Sequence, residues 1–289
     1  LKSAQTEGIP QPPPSTETYK GLSVGKYDSQ SVCALRTDGR IECWGAWARL
    51  PTAKYKKVAV GRDMLIAISD AGRVDGLENF NPLDYDPSLA SATVVDISVP
   101  WRRFSNGWPC VLTSTGRGTC FNQGETVNEP GIKALVNGRD GYCHINAKDD
   151  MVCDGQLFPG PFASVHASNG HGTACGVRKD GKIVCYNVSD QGFGASKTSY
   201  KSLALTQDAI CALTIDGLRE CRGRNSAVGN QRGGVSNSLA APEGTSADRF
   251  AEVDISNLRQ LGCGIRTDGR LYCWGSGLQG FPHFEGDVK

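Results

Sequence analysis

Cys263-Gly-Ile-Arg-Thr-Asp-Gly-Arg-Leu-Tyr-Cys273-Trp-Gly is a sentence that the chain writes twice, the other copy being Cys33-Ala-Leu-Arg-Thr-Asp-Gly-Arg-Ile-Glu-Cys43-Trp-Gly. Weaker copies run from Cys110 to Cys120, Cys143 to Cys153, Cys175 to Cys185 and Cys211 to Cys221. Each pair is separated by ten residues, and the six pairs use all twelve cysteines. Pairing Cys33 with Cys43 sets Arg36 opposite Arg40 and leaves Thr37-Asp38-Gly39 as a three-residue turn. Such turns end on a left-handed residue, which suits Gly because it has no Cβ. Gly recurs there as Gly116, Gly181, Gly217 and Gly269, while Asp149 replaces it once; Asp is among the few residues that tolerate that conformation. Counting outward from the closing pair, the two cysteines fall on a non-hydrogen-bonded pair, where the backbones lie close enough for a disulfide. The expected bonds are therefore Cys33–Cys43, Cys110–Cys120, Cys143–Cys153, Cys175–Cys185, Cys211–Cys221 and Cys263–Cys273.

A seventh unit lacks cysteines. Aligning Gly72-Arg73 on Gly39-Arg40 puts Ile66 and Gly76 at the cysteine positions and Asp70-Ala71-Gly72 at the turn. Ahead of each hairpin runs a β-like segment in which an aromatic is followed three residues later by Val or Leu, as in Tyr19/Leu22, Tyr55/Val58, Phe162/Val165, Tyr200/Leu203 and Phe250/Val253. Thr93 to Ile97 and Ile132 to Asn137 are its degenerate members. Seven short-stranded units in series predict an all-β radial repeat rather than seven domains.

The motif Cys-Ala-Leu-x-x-Asp-Gly-Arg-x-x-Cys-Trp-Gly resembles the repeat of the RCC1 family, whose members are seven-bladed β-propellers and include a bacterial β-lactamase-inhibitory protein. The likeness spans about residues 19–280 and is sharpest in the first and last units. It implies a seven-bladed propeller in which six blades carry an internal disulfide hairpin. Much of that family lacks paired cysteines, so this chain resembles a secreted, disulfide-bearing branch.

Composition sets further bounds. Net charge is +1, with acids and bases interspersed, which argues against a nucleic-acid binder and against the nuclear exchange-factor role of the family. No apolar run approaches the ~20 residues of a membrane span. Twelve cysteines in hairpin register imply an oxidising compartment and a secreted, extracellular protein. Zinc is the competing reading of the cysteines, but ten-residue separations without Cys-x-x-Cys or neighbouring His do not match its ligand spacing. No cofactor or metal motif is present. Leu1 is expected to be a mature terminus left by removal of an export signal. Asn187-Val-Ser189 is a lone N-glycosylation sequon.

Residues 1–18 contain Pro10-Gln-Pro-Pro-Pro14 and are read either as a lead-in or as a strand that closes the ring, with the propeller occupying 19–289. Hairpin spacing is 32 to 36 residues in plain units, but 44 between Ile66 and Cys110 and 52 between Cys211 and Cys263. The extra residues fall at 78–92 and 222–249, and the second, Gly/Ser-rich stretch reads as a long loop.

Function is sought outside the hairpins. The connections between first and second strands carry Tyr27, Asp28, Arg62, Asp63, Trp101, Arg102, Arg103, Arg139, Asp140, His171, Asp208 and Arg259. Flat aromatic faces stack on sugars and Arg forks hold carboxylates, so these are candidate ligand-binding residues; solvated loop positions with local turns are the alternative. A polysaccharide lyase would use His171 or Tyr27 as base with Arg102 against a uronate. A glycosidase would draw two carboxylates from Asp28, Asp63, Asp140 and Asp208. On the first strands, Asp96, His166 and Asp254 are aligned with Ser23, Ala59, Val136 and Ala204 as a polar or metal-binding channel lining, or simply a wet one. Trp44 and Trp274 belong to the repeat and read as packing residues, whereas Trp47, Trp101 and Trp108 lie outside it. No nucleophile elbow, His-Glu-x-x-His or P-loop occurs. The preferred expectation is an extracellular recognition protein that offers a loop-lined face to a protein or glycan and does no chemistry. A carbohydrate-active enzyme and a self-assembling extracellular subunit are the alternatives.

Overall fold

The computed structural model describes residues 17–25, 31–44, 52–61, 64–78, 80–99, 109–121, 126–127, 129–138, 141–168, 173–206, 209–223, 249–256 and 261–275. These form seven separate antiparallel sheets, each built from strands consecutive in sequence, and none closes into a barrel. The sheets are the blades of a seven-bladed β-propeller. The first strands of the blades are Tyr19–Val24, Tyr55–Val60, Val94–Ser98, Ala134–Asn137, Phe162–Ala167, Tyr200–Leu205 and Phe250–Ile255. They line a common central cavity. Each touches the first strands of both neighbours, the seventh meeting the first. Blades 3 and 4 add a fourth strand, Thr126–Val127 and Gln156–Phe158.

All six expected disulfides are present, on directly opposed residues. Their Cα atoms are 4.0–4.2 Å apart, the close approach of a non-hydrogen-bonded pair. In blade 2, Ile66 faces Gly76 at the same place. The turn residues also behave as their sequence dictates. Gly39, Gly72, Gly116, Gly181, Gly217 and Gly269 have φ between 77° and 90°, and Asp149 takes the equivalent place at 66°.

The turn does a second job. Its left-handed residue offers a carbonyl to the first N–H of the following blade: Gly39 O to Tyr55 N at 2.7 Å, Gly72 O to Val94 N at 2.8 Å, and Gly116 O to Ile132 N at 3.2 Å. The series continues with Asp149 O to Phe162 N, Gly181 O to Tyr200 N and Gly217 O to Phe250 N. It closes with Gly269 O to Tyr19 N at 2.8 Å, so the junction of blades 7 and 1 is bonded like the other six.

The aromatic-x-x-Val/Leu pattern has a local cause. A strand with strict alternation would send residues i and i+3 to opposite faces. In six blades the register shifts between the first and third residues of the first strand, as at Tyr19/Gly21 and Phe250/Glu252. The extra residue of such a bulge breaks the alternation. Tyr19 and Leu22 are both buried and join one apolar cluster with Leu261, Ile265 and Leu271 of blade 7.

The identity of that aromatic matches its surroundings. Tyr19 donates to Glu42 at 2.7 Å and Tyr200 to Glu220 at 2.6 Å, and Tyr55 bonds to Asp75. In these blades the middle strand carries Ala34, Ala212 and Ala67 opposite the acids. Blades 5 and 7 begin instead with Phe, place Val184 and Tyr272 at the acid's position, and set Gly176 and Gly264 opposite them. A Cβ on either glycine would stand 2.6 Å from the Phe162 or Phe250 ring. Burial, then the partnering carboxylate, pushes the Tyr55 and Tyr200 hydroxyls above the usual tyrosine range.

The expected insertion at 78–92 is a folded strap. It contains two short 3-10 turns, Pro82–Asp84 and Pro87–Ala90, whose N-caps Asn81 and Asp86 accept from Leu83 N and Ser88 N. Phe80 and Leu89 are buried in the cluster of Ile66, Ile68, Val74, Val94 and Phe121. Arg117 of blade 3 ties the strap down through Asp86 at 2.9 Å and Ser88 at 2.8 Å. The second insertion lies outside the described residues beyond Gly223.

Candidate binding site at the central channel

The channel is a cavity of about 760 Å³. Because the first strands lie side by side in register, its wall is layered. One layer consists of the residues opposite the cysteine positions: Ser23, Ala59, Ser98, Val136, His166, Ala204 and Asp254. The expected alignment holds for six of these. It fails in blade 3, where Ser98 rather than Asp96 faces the cysteine. Val94 stands where other blades have an aromatic, so the sequence does not mark where the bulged strand begins. Asp96 belongs to the next layer with Lys57, Ala134, Ser164, Ser202 and Glu252.

Several polar residues of the first layer brace neighbouring blades. Asp254 Oδ2 accepts from Val24 N at 2.8 Å while its Oδ1 accepts from Ile255 N at 2.9 Å. Ser23 Oγ accepts from Val60 N at 3.0 Å. Ser98 Oγ accepts from Asn137 N at 3.1 Å and donates to Asn137 Oδ1 at 2.7 Å. In the second layer Lys57 pairs with Asp96 across blades 2 and 3, and Asp96 also accepts from Ile97 N at 2.8 Å. This part-exposed pair contributes roughly 0–1 kcal/mol and orders the wall more than it stabilises it. His166 Nε2 is 3.0 Å from Ser164 Oγ. Among the described residues no group of three or more His, Cys, Asp or Glu is arranged to hold a metal ion. Asp96 and Asp254 thus have backbone and lysine partners, which serves cohesion.

At one end of the channel each first strand turns back into the second. Six of these seven connections are clasped at the stem by one backbone bond: Gly25 N to Ser31 O, Gly61 N to Met64 O, Gly138 N to Gly141 O, Ser168 N to Thr173 O, Thr206 N to Ala209 O and Ser256 N to Leu261 O. Among the described residues, these stems give the six loops fixed ends on the channel wall. The residues singled out from sequence all fall in these connections and outside the described residues: Tyr27, Asp28, Arg62, Asp63, Trp101, Arg102, Arg103, Arg139, Asp140, His171, Asp208 and Arg259. Trp47 and Trp108 also lie outside them.

Other singled-out side chains are placed. Trp274 is buried against Phe250, with the Arg219 guanidinium 3.8 Å from its ring centre. Trp44 meets Tyr19 edge-on at 6.0 Å. Both pack blades together. His144 is buried with Nε2 2.6 Å from Glu129 Oε2, a contact that sequence reasoning missed because no repeat position signals it. Asn187 is exposed just past the outermost strand of blade 5.

No protein-family model matches the chain, and no curated protein matches it. Solved structures do. The ectodomain of the Physcomitrella patens receptor kinase CR4 is 18% identical, with a TM-score of 0.66 over 90% of this chain and 75% of that one. The CRINKLY WD40 ectodomain of the Arabidopsis thaliana receptor kinase ACR4 is 15% identical, with a TM-score of 0.68 over 92% and 97%. The Myceliophteria thermophila Cps50 (Swd1) β-propeller domain is 12% identical, with a TM-score of 0.58 over 93% and 99%. At these identities the likeness is one of fold, and the fold is the β-propeller.

Proposed function

We propose that the chain is an extracellular recognition protein that binds a protein or glycan at the loop-bearing end of its channel and performs no chemistry of its own. The observation that carries this reading is the set of clasped stems on six blades: together with the longer connection of blade 3, connections rich in Arg, Asp and aromatic residues leave one end of the ring. Loops held by a rigid scaffold are where binding function concentrates. The connection of blade 3 is the longest of the seven and carries Trp101, Arg102, Arg103 and Trp108, so it is the focal element. Trp and Arg dominate interface hot spots. Six disulfides fit an oxidising, extracellular setting. The two receptor-kinase ectodomains of the same fold agree with that setting. In this reading the repeats form a secreted, disulfide-bearing branch of RCC1-like propellers, and residues 1–18 precede a propeller that occupies the rest of the chain.

The test is a screen of the purified protein against immobilised acidic oligosaccharides and a panel of secreted and cell-surface domains. A specific partner should be found, and Trp101→Ala or Arg102→Ala should weaken it at least tenfold with an unchanged melting temperature. Binding that survives alanine at every rim position named above would overturn the reading. So would new reducing ends or unsaturated products appearing in the same oligosaccharides.

A further inference from the structure

We infer that Asn187 carries an N-linked glycan, and that this glycan shields the outer edge of blade 5 from the periphery of the loop-bearing end, two strands out from the channel wall. Asn187-Val188-Ser189 is the only Asn-x-Ser/Thr triplet in the chain with a middle residue other than Pro. Its surroundings suit the modification. Asn187 directly follows Ile183–Tyr186, the outermost strand of a three-stranded blade. It is exposed, and its φ of 53° is the left-handed conformation that Asn accepts more readily than most residues. The next residue, Val188, turns inward against the cluster of Phe193, Leu203 and Leu205. Ser189 is exposed, and its Oγ caps Gln191 N at 3.2 Å. The triplet is therefore anchored at its centre and presents both of its recognition residues to solvent.

The position also has a use. A strand at a sheet edge offers unpaired N–H and C=O groups to other chains, and proteins cover such edges. A bulky, hydrated sugar beginning one residue past the edge strand would block edge-to-edge pairing there. Tyr186 pairs with Ala174, directly beyond the Ser168–Thr173 stem, so Asn187 stands at the same end of the ring as the loops, on the third strand rather than on the first strand that forms the channel wall. In the transfer step the Asn187 Nδ2 forms a bond to C1 of the reducing-end sugar of a lipid-linked diphospho-oligosaccharide. The C1–oxygen bond to the diphosphate breaks, the lipid diphosphate leaves with that electron pair, and the amide gives up one proton.

The inference rests on export through an oxidising compartment. Its test reads both points separately on protein secreted from eukaryotic cells. Peptide mass spectrometry after amidase release in heavy-oxygen water should convert Asn187 to labelled Asp. Ser189→Ala, which leaves Asn187 in place, and Asn187→Gly, which keeps its backbone conformation, should each lose the same mass. Both unglycosylated variants should keep rim binding and show more self-association by light scattering. An unmodified 187 peptide in secreted, fully disulfide-bonded protein would sink the glycan but not the extracellular reading. Twelve titratable thiols would sink both. Unchanged self-association in the two variants would remove the edge-covering role.

Discussion

Blades 1 and 2 share strand order and turn, their outer registers part only where blade 2 shifts between Leu65 and Ile66, and they differ in what crosses their two outer strands. In blade 1 the crossing is covalent, Cys33 to Cys43. In blade 2 the same pair is Ile66 and Gly76, and the chain returns over it as the 78–92 strap. Gly76 is there because the strap is close: a Cβ would fall 1.7 Å from the Phe80 carbonyl oxygen. Phe80 then stacks on Tyr85 at 5.0 Å and meets Phe121 of blade 3 edge-on at 5.4 Å. The loss of one disulfide thus coincides with the apolar cluster shared by blades 2 and 3. A short hairpin at a blade edge needs one outside restraint, and a bond or a plug can supply it.

The largest expected effect lies on the plug. Phe80→Ala should destabilise the protein by about 3–5 kcal/mol, the range for removing a buried aromatic, measured by denaturant unfolding at fixed slope. Cys33→Ala with Cys43→Ala should cost less, ~2.7 kcal/mol, from the lost constraint on a short loop in the unfolded chain. If the order of these two is reversed, the strap is not the equivalent of the disulfide. Gly76→Ala should cost about 1–3 kcal/mol through displacement of the strap backbone, whereas Ala at exposed Gly155, where nothing stands within 4 Å, tests only the strain of its left-handed φ. A tolerated Gly76→Ala would mean that the strap lifts freely.

The smallest effect concerns a feature the two blades share. Tyr55→Phe removes a hydroxyl whose partner is Asp75 and should cost about 1 kcal/mol. Because burial raises the folded-state pKa of Tyr55, the folded protein holds its proton when the unfolded chain has released it. The associated stability is complete below the ordinary tyrosine pKa of about 10 and is lost as pH rises above that value toward the folded pKa. Melting temperatures taken up to pH 11 should therefore fall less steeply in Tyr55→Phe than in the parent. Parallel curves would show that this hydroxyl does not titrate with unfolding.

What could be read in advance follows from what is local. Ten-residue cysteine spacing and a glycine at the third turn position are consequences of hairpin geometry, so the disulfides, the turns and the cysteine-free blade were legible. Asp149 in place of glycine was legible for the same reason. Asp96 was misplaced because a bulge shifts the register and Val94 gives no aromatic marker for it. The strap was seen as extra length but not as structure, since Phe80 and Leu89 find their partners in a cluster that blades 2 and 3 form together. The Tyr-with-acid and Phe-with-apolar pairing was present in the repeats, yet its partners are 20 or more residues apart and its meaning needs the ring's path across the blade. The rim residues belong to loops whose lengths differ between blades, and a repeat cannot place what it does not repeat.

The bond from each turn carbonyl to the next blade's first N–H has a consequence for how the chain could be rearranged. It is made of main chain on both sides, so no junction depends on a particular pair of side chains to connect its blades. The junction of blades 7 and 1 has the same bond as the six within the chain, so the circle carries no distinguishable seam there. A circular permutant with new ends between blades 4 and 5 keeps seven equivalent joints. Where the polypeptide begins is then a matter of gene order rather than of architecture.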